Sequence, residues 1–188
     1  MALSTRRGIL TAGAILAGAL APRKPWAAQR GAAGLPDLAD VLTPVDPPMP
    51  PPDGIFLDAE GEEHRIGAFL GRGMVVNFWA TWCQPCVAEM PSLAVLAKAL
   101  APHDIAVLTV SSDRGGAGVV SAWFEQHGVT GLPVLLDPRG ALARAWGARG
   151  IPTTHVIDRE GRERGRISGA ADWSTPATVA LVRRLVEG

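Results

Sequence analysis

Cysteine, histidine and net charge are the scarce features of this 188-residue chain. Only two cysteines occur, Cys83 and Cys86, and a pair so close cannot link distant segments into a disulfide framework. The four histidines show no paired spacing, so a zinc site built on the cysteines would lack two ligands. Formal net charge is zero, without the basic excess of nucleic-acid-binding proteins. The cysteines are therefore predicted to serve chemistry, and no metal, other cofactor or nucleic-acid partner is expected.

Residues 1–28 are predicted to form a signal peptide or signal anchor. Arg6 and Arg7 precede an uncharged stretch over residues 8–21, which is the pattern of an export signal. That stretch is shorter than the ~20 residues that span a bilayer. Together with Thr5, the arginines also resemble a twin-arginine export signal. The sequence predicts a periplasmic or other extracytoplasmic location. It leaves open whether the leader is cleaved or anchors the chain to the inner membrane.

Residues 29–52 are predicted to be a proline-rich linker. Six of the nine residues from Pro44 to Pro52 are proline, and such a run favours the extended polyproline conformation of a semi-rigid spacer. A ligand for a proline-binding module is the alternative interpretation. The folded domain is therefore expected to cover residues 53–188.

Strand and helix patterns alternate within residues 53–188. Continuous apolar runs predict buried central strands, and apolar residues recurring every three or four positions predict helices. Strands are predicted at 54–57, 64–66, 74–80, 105–110, 133–136, 153–157 and 164–168, and helices at 87–100, 119–127, 141–146 and 175–186. This order predicts an α/β sandwich around a mixed sheet.

The chemical motif is Trp82-Cys83-Gln84-Pro85-Cys86, placed between a predicted strand and a predicted helix. The first turn of a helix offers free N–H groups and the positive end of a dipole, which favour a thiolate at Cys83. Only the thiolate attacks a disulfide, so Cys83 is the predicted nucleophile. Cys86 lies one turn inside the helix and is the predicted resolving cysteine, the more buried of the two. A purely structural disulfide is disfavoured because so small a ring constrains little of the unfolded chain.

Two segments resemble the thioredoxin superfamily, and within it the TlpA/ResA/CcmG group of exported thiol–disulfide proteins. Residues 79–86 followed by Glu89-Met90-Pro91 are similar to the active-site segment of that group, and residues 150–154 are similar to its cis-proline strand. The TlpA branch is favoured because residues 169–173 resemble its ending. Threonine, where CcmG-like members often carry glutamate, follows Pro152, which fits the TlpA or ResA branch better. The resemblance implies a thioredoxin-like three-layer sandwich with an N-terminal β-hairpin extension.

The resemblance also implies where a substrate binds. Pro152 is the expected cis-proline beside the cysteines, and the backbone of Ile151 is expected to pair with a substrate strand. Trp82 and Pro85, which flank Cys83 in the motif, are expected to contact the substrate.

Glu89 is the third predicted catalytic residue. It matches an acidic residue that ResA-like members carry three positions after the second cysteine, where burial could raise its pKa and let it take the proton of Cys86. Taken alone, Glu89 would be interpreted as an ordinary solvated helix residue. Ordinary thioredoxins carry a buried aspartate six positions before the first cysteine, and this chain has Asn77 there, which cannot titrate.

The predicted function is that of a thiol:disulfide oxidoreductase that reduces cysteine pairs of client proteins outside the cytoplasm. The resemblance implies clients in cytochrome c maturation or in copper-site assembly of cytochrome oxidase, and a transmembrane dithiol electron donor. Two alternatives stay open at this point. The same cysteines could act as a net disulfide donor, or they could bind copper(I) without redox turnover, with Met90 or His155 as a further ligand.

Overall fold

The computed structural model describes residues 34–188. The predicted leader, residues 1–28, lies outside the described residues. The strands are β1 Leu42–Met49, β2 Ile55–Leu57, β3 Glu63–Arg65, β4 Gly73–Trp79, β5 Ile105–Ser111, β6 Leu135–Leu136, β7 Thr153–Ile157 and β8 Glu163–Ser168. The α-helices are α1 Leu38–Val41, α2 Gln84–Leu100, α3 Gly116–His127, α4 Ala141–Ala145 and α5 Pro176–Glu187, with short 3-10 helices at Ile66–Phe69 and Ala101–His103.

The eight strands form one mixed sheet in the order β1-β8-β7-β4-β5-β6-β2-β3. At its centre, β4 pairs with β5 in parallel and with β7 in antiparallel orientation. The predicted N-terminal hairpin is present as β2 and β3, and β2 pairs with β6, so that β3 forms the edge of the sheet. The mixed sheet with helices on its faces confirms the predicted thioredoxin-like α/β architecture.

Strand β4 divides the core into two layers because successive side chains on a strand point to opposite faces. Val75 and Trp79 pack on the layer that holds α2, α3 and α5, whereas Met74, Val76 and Phe78 pack on the layer that holds α4. Every residue of the strand is buried. This explains why the sequence reads as a continuous apolar run, interrupted only by the polar Asn77.

Residues 36–49 correct the predicted domain boundary, because they belong to the folded domain and are not a spacer. Leu38 is buried in the core, and the carbonyl oxygen of Pro36 accepts the N–H of Asp172 at 2.9 Å. Strand β1 pairs with β8 at the edge of the sheet, with an irregular register between Pro44 and Met49. Proline is tolerated there because an edge strand leaves one row of N–H positions unpaired.

The carboxyl ends of β4 and β5 position the site. These parallel neighbours end together, and the loops that follow them carry the cysteine motif and residues 112–115. Within residues 34–188, no helix combines the length and the apolar character needed to cross a membrane.

Candidate active site

The two cysteines form a disulfide at the start of α2, with their Cα atoms 5.3 Å apart. Cys83 is the N-cap residue of the helix, and its sulfur accepts the N–H of Cys86 at 3.4 Å. The same sulfur lies 3.6 Å from the carbonyl oxygen of Ile151. Cys83 keeps 7% of its surface exposed, whereas Cys86 is fully buried. The sulfur of Cys83 is therefore the more accessible of the two, and Cys86 is the more buried cysteine, as the sequence predicts.

The four residues predicted to contact substrate lie around Cys83. The peptide bond between Ile151 and Pro152 is cis, as the resemblance implied, and Ile151 is half-buried. Trp82 is 67% exposed, and it lines a shallow groove together with Ile151. Pro85 is exposed in the first turn of α2, where a missing N–H costs no helical hydrogen bond. An exposed indole beside a reactive sulfur is suited to contact with a docked polypeptide.

Glu89 is fully buried one turn after Cys86, so it is not a solvated helix residue. Its Oε1 accepts a hydrogen bond from Nδ2 of Asn77 at 2.9 Å. Its Oε2 accepts the backbone N–H of Ala171 at 3.0 Å and the indole N–H of Trp173 at 2.9 Å. All three donors are uncharged, so no cation compensates a negative charge on this carboxyl group. Burial raises the pKa of Glu89 to about 7, although the three hydrogen bonds act to lower it.

Asn77 connects this network to the strand that follows the cis-proline. Its Nδ2 also donates to Oγ1 of Thr154 at 2.8 Å, while its Oδ1 has no hydrogen-bond partner among the described residues. The residue occupies the place of the buried aspartate of ordinary thioredoxins, as the sequence indicated. Here it is a hydrogen-bond donor to the titratable carboxyl group of Glu89 on α2.

Asp113 is a site residue that the sequence analysis did not single out. Its buried carboxylate accepts the hydroxyl of Ser111 at 2.6 Å, and it accepts both the backbone N–H and the hydroxyl of Thr81, at 2.9 and 2.7 Å. Thr81 lies two positions before Cys83, so Asp113 fixes the loop that leads into the cysteine motif. The sequence could have indicated Asp113, because it follows the predicted strand at 105–110, and polar residues that follow neighbouring parallel strands meet at the same edge of a sheet.

A second buried carboxylate, Glu163, lies in the opposite core layer. It accepts hydrogen bonds from Nδ1 of His155, from the indole of Trp146 and from the guanidinium of Arg166, at 2.9 to 3.0 Å. Burial acts to raise its pKa, but the bonds from His155 and Arg166 outweigh burial and lower it to about 2. His155 stacks on Trp146 with ring centroids 4.5 Å apart.

This arrangement concerns the alternative that the two cysteines bind copper(I) with Met90 or His155 as a further ligand. His155 is held by Glu163 in one core layer, whereas Cys83, Cys86 and Met90 belong to the other layer. Within the described part of the chain, no group of three or more histidine, cysteine, aspartate or glutamate residues is placed to hold a metal ion.

The class of the protein follows from where the reactive pair lies. Thiols at the first turn of a helix are activated for exchange, and this helix follows the central strand of a thioredoxin-like sheet. The protein is a thioredoxin-like thiol–disulfide oxidoreductase. Residues 49–164 match the AhpC/TSA family, and the chain belongs to that family.

Known relatives agree with this class. The chain is 34% identical over 118 residues to the thiol-disulfide oxidoreductase ResA of Geobacillus thermodenitrificans, a match that covers 63% of this chain and 67% of the relative. The structure is similar to the exposed lipoprotein thioredoxin of Streptococcus pneumoniae, with a TM-score of 0.59, 29% identity, and coverage of 71% and 99% of the two chains. It is also similar to a thioredoxin-family thiol:disulfide interchange protein of Chlorobium tepidum, with a TM-score of 0.61, 26% identity, and coverage of 77% and 99%. These relatives support the resemblance to the TlpA/ResA/CcmG group, and the narrower TlpA branch stays a prediction.

Proposed function

We propose that this protein reduces cysteine pairs of client proteins outside the cytoplasm, with Cys83 as the nucleophile and Cys86 as the resolving cysteine. The observation that carries the proposal is the inequality of the two sulfurs. Cys83 lies at the helix N-terminus and is partly exposed, and Cys86 is fully buried one turn further on. A client sulfur can reach the first more readily than the second, which sets the order of the two exchange steps.

The reduced protein begins the reaction. The Cys83 thiolate attacks one sulfur of the client disulfide, a mixed disulfide forms, and the first client sulfur leaves as a thiolate. Cys86 then attacks the Cys83 sulfur and forms the intramolecular disulfide, and the second client sulfur leaves as a thiolate. Two electrons pass from the protein to the client, and the product is the disulfide form described above.

Glu89 is the proposed proton acceptor for Cys86. The second step requires the thiolate of a buried cysteine, and burial disfavours that anion. A carboxylate with a pKa of about 7 is matched to accept a proton near neutral pH. Glu89 follows Cys86 by three positions on α2, so both side chains lie on the same face of the helix. The hydrogen bonds from Asn77, Ala171 and Trp173 hold the carboxylate there.

The client docks beside the cis-proline in this proposal. The carbonyl oxygen of Ile151 lies 3.6 Å from the Cys83 sulfur, so an extended segment passing Ile151 brings its own cysteine against the nucleophile. Exposed Trp82 and Pro85 supply further apolar contact beside Cys83.

Location, electron donor and client class complete the proposal. The leader pattern in residues 1–28 supports export to the periplasm or another extracytoplasmic compartment, with retention as an inner-membrane anchor as one form of it. A reductant there needs electrons carried across the membrane, so the proposed donor is a transmembrane dithiol protein. The family resemblance supports clients in cytochrome c maturation or in assembly of the copper site of cytochrome oxidase.

The deciding experiment is the reduction potential of the Cys83–Cys86 pair, titrated against dithiothreitol buffers and followed by tryptophan fluorescence. A potential well below the roughly −180 mV of isomerase-type proteins supports a dedicated reductant. A potential near about −120 mV, that of a strong oxidant, refutes the reductase direction and makes the protein a disulfide donor. The Cys83→Ser/Cys86→Ser variant is the control, since its fluorescence should not respond to the redox buffer.

Alkylation of the reduced protein tests the order of the steps. A small haloacetamide should modify Cys83 well before Cys86, because only Cys83 has exposed surface. Equal modification of the two residues, read by peptide mass mapping, would contradict the assigned roles.

A further inference from the structure

Four arginines line one groove beside the active site. The groove has a volume of about 320 Å³ and includes Trp82 and Ile151 among its lining residues. Arg114 reaches it from the loop after β5, Arg139 and Arg144 from the segment around α4, and Arg149 from the loop before the cis-proline. All four are exposed. The fold thus gathers positive charge from three separate segments, in a chain whose formal net charge is zero.

No carboxylate of the described residues forms an ion pair with these arginines. The groove lining contains no acidic side chain, and none of the ion pairs found within residues 34–188 involves these four arginines. Asp113 and Asp137 are near them in sequence, but both are buried. The oxygens of Asp113 accept from Thr81 and Ser111, and those of Asp137 cap the backbone N–H groups of α4.

The groove is also partly ordered for recognition. Arg144 donates from its guanidinium to the carbonyl oxygen of Arg139 at 2.6 Å, which restricts its side chain beside the groove. A guanidinium held in this way binds a carboxylate with less loss of side-chain freedom.

We propose that this groove binds an acidic polypeptide segment that adjoins the reacting cysteine of the client. The inference rests on the proposed function, since it names the kind of protein that Cys83 attacks. Ile151 both lines the groove and lies 3.6 Å from the Cys83 sulfur, so a chain docked at Ile151 continues into the groove. Carboxylates are the side chains that pair bidentately with arginine, and complementary charge speeds encounter and fixes register.

The test compares two disulfide-linked peptides that differ only next to the cysteine, one with four aspartates and one with four asparagines. The rate of their reduction by the reduced protein is measured by stopped flow at low salt. Each exposed ion pair contributes a factor of roughly 1.5 to 5, so the acidic peptide should react about tenfold faster. The preference should fall toward unity at about 1 M salt, where charges are screened within ~3 Å.

A matched pair of variants locates the effect. Arg139→Gln/Arg149→Gln removes two of the four groove charges and should reduce the preference from about tenfold to about threefold. Arg183→Gln/Arg184→Gln removes the same charge from α5 and should keep the full preference. Equal rates for both peptides with the unaltered protein, or equal loss of preference in both variants, overturns the proposal. Reduction of neither peptide contradicts the proposed function instead.

A binding measurement keeps the inference testable without turnover. A cysteine-free tetra-aspartate peptide is titrated into the oxidised protein, and the arginine Nε–Hε resonances are followed by NMR. Shifts in the unaltered protein that Arg139→Gln/Arg149→Gln removes support the groove, and an absence of shifts overturns it. Binding of the protein to phosphatidylglycerol vesicles through the same arginines, without peptide binding, would make the groove a membrane contact and refute the proposal.

Discussion

Replacement of Glu89 by glutamine removes a buried titratable group while nearly keeping its shape. Burial raises the pKa of this carboxyl group to about 7, from an ordinary value of 4.5. Between those two values the folded protein holds a proton that the unfolded chain has already released, so the free energy of unfolding falls as pH rises. Stability from this group is therefore complete below pH 4.5 and declines until about pH 7.

The size of the decline follows from the pKa gap. Each pKa unit corresponds to ~1.4 kcal/mol, so the free energy of unfolding of the unaltered protein should fall by about 3 kcal/mol over this pH window from Glu89 alone. The glutamine variant has no such loss. Its side-chain oxygen can keep the N–H groups of Ala171 and Trp173. Its new amide N–H can donate to Oδ1 of Asn77, which has no partner among the described residues, if the Asn77 amide turns over.

Denaturant titrations measure this effect in the oxidised protein, because disulfide-bonded cysteines do not titrate and so add no pH dependence of their own. Unfolding is followed by tryptophan fluorescence at several pH values between 4.5 and 8. The stability of the unaltered protein minus that of Glu89→Gln should fall by about 3 kcal/mol as pH rises through the window. Glu125→Gln, an exposed position on α3, provides the matched substitution control. A difference that stays constant with pH would refute a raised pKa and remove the reason for treating Glu89 as a base.

Three other predictions concern the remaining site and core residues. Cys86→Ser should trap Cys83 in a mixed disulfide with a peptide substrate, visible by mass spectrometry, whereas a client released normally would contradict the resolving role. Asp113→Ala should lower the free energy of unfolding by about 2 kcal/mol and slow exchange, because buried donors of the loop before Cys83 lose their acceptor; partial recovery in Asp113→Asn is expected. Glu163→Gln should destabilise the protein by roughly 2 kcal/mol at pH 7 through loss of the Arg166 pair. That cost should disappear as pH falls from 4.5 toward 2, because the folded pKa of Glu163 lies below its ordinary value; a cost that persists at pH 2 would contradict this account.

The central strands and the cysteine motif could be predicted because local patterns determine them. The apolar run predicted at 74–80 corresponds to β4 at Gly73–Trp79, and the run at 105–110 corresponds to β5 at Ile105–Ser111. Helix α3 ends at His127 before Gly128, which adopts the left-handed conformation with φ 63° that glycine favours at this position. Each of these features depends on neighbours within a few residues.

The features that were missed depend on contacts between distant residues. The proline run of β1 looks like a spacer until its edge position beside β8 is known, since proline is excluded only where an N–H must pair. Glu89 is predicted only through the family resemblance; taken alone it reads as a solvated helix residue, because its partner Trp173 lies 84 positions away in sequence. The arginine groove joins three segments whose proximity follows from the sheet order, and the three arginines within residues 139–149 do not by themselves indicate that Arg114 lies beside them.

Glu89 and Glu163 show how the hydrogen-bond partners of a buried carboxylate set its pKa in this fold. Both are almost fully buried and both accept hydrogen bonds, including one from a tryptophan indole. Glu163 also accepts hydrogen bonds from His155 and from the guanidinium of Arg166. Both stabilise the anion and lower its pKa, so Glu163 carries its charge throughout the physiological range. Glu89 has only uncharged donors, so burial dominates and its pKa rises to about 7. A buried carboxylate without a neighbouring cation lowers the free energy of unfolding near neutral pH. The same raised pKa suits it to accept a proton from a neighbouring thiol. The cysteine pair therefore lies beside the carboxylate that can exchange a proton, and the one that cannot lies in the opposite core layer.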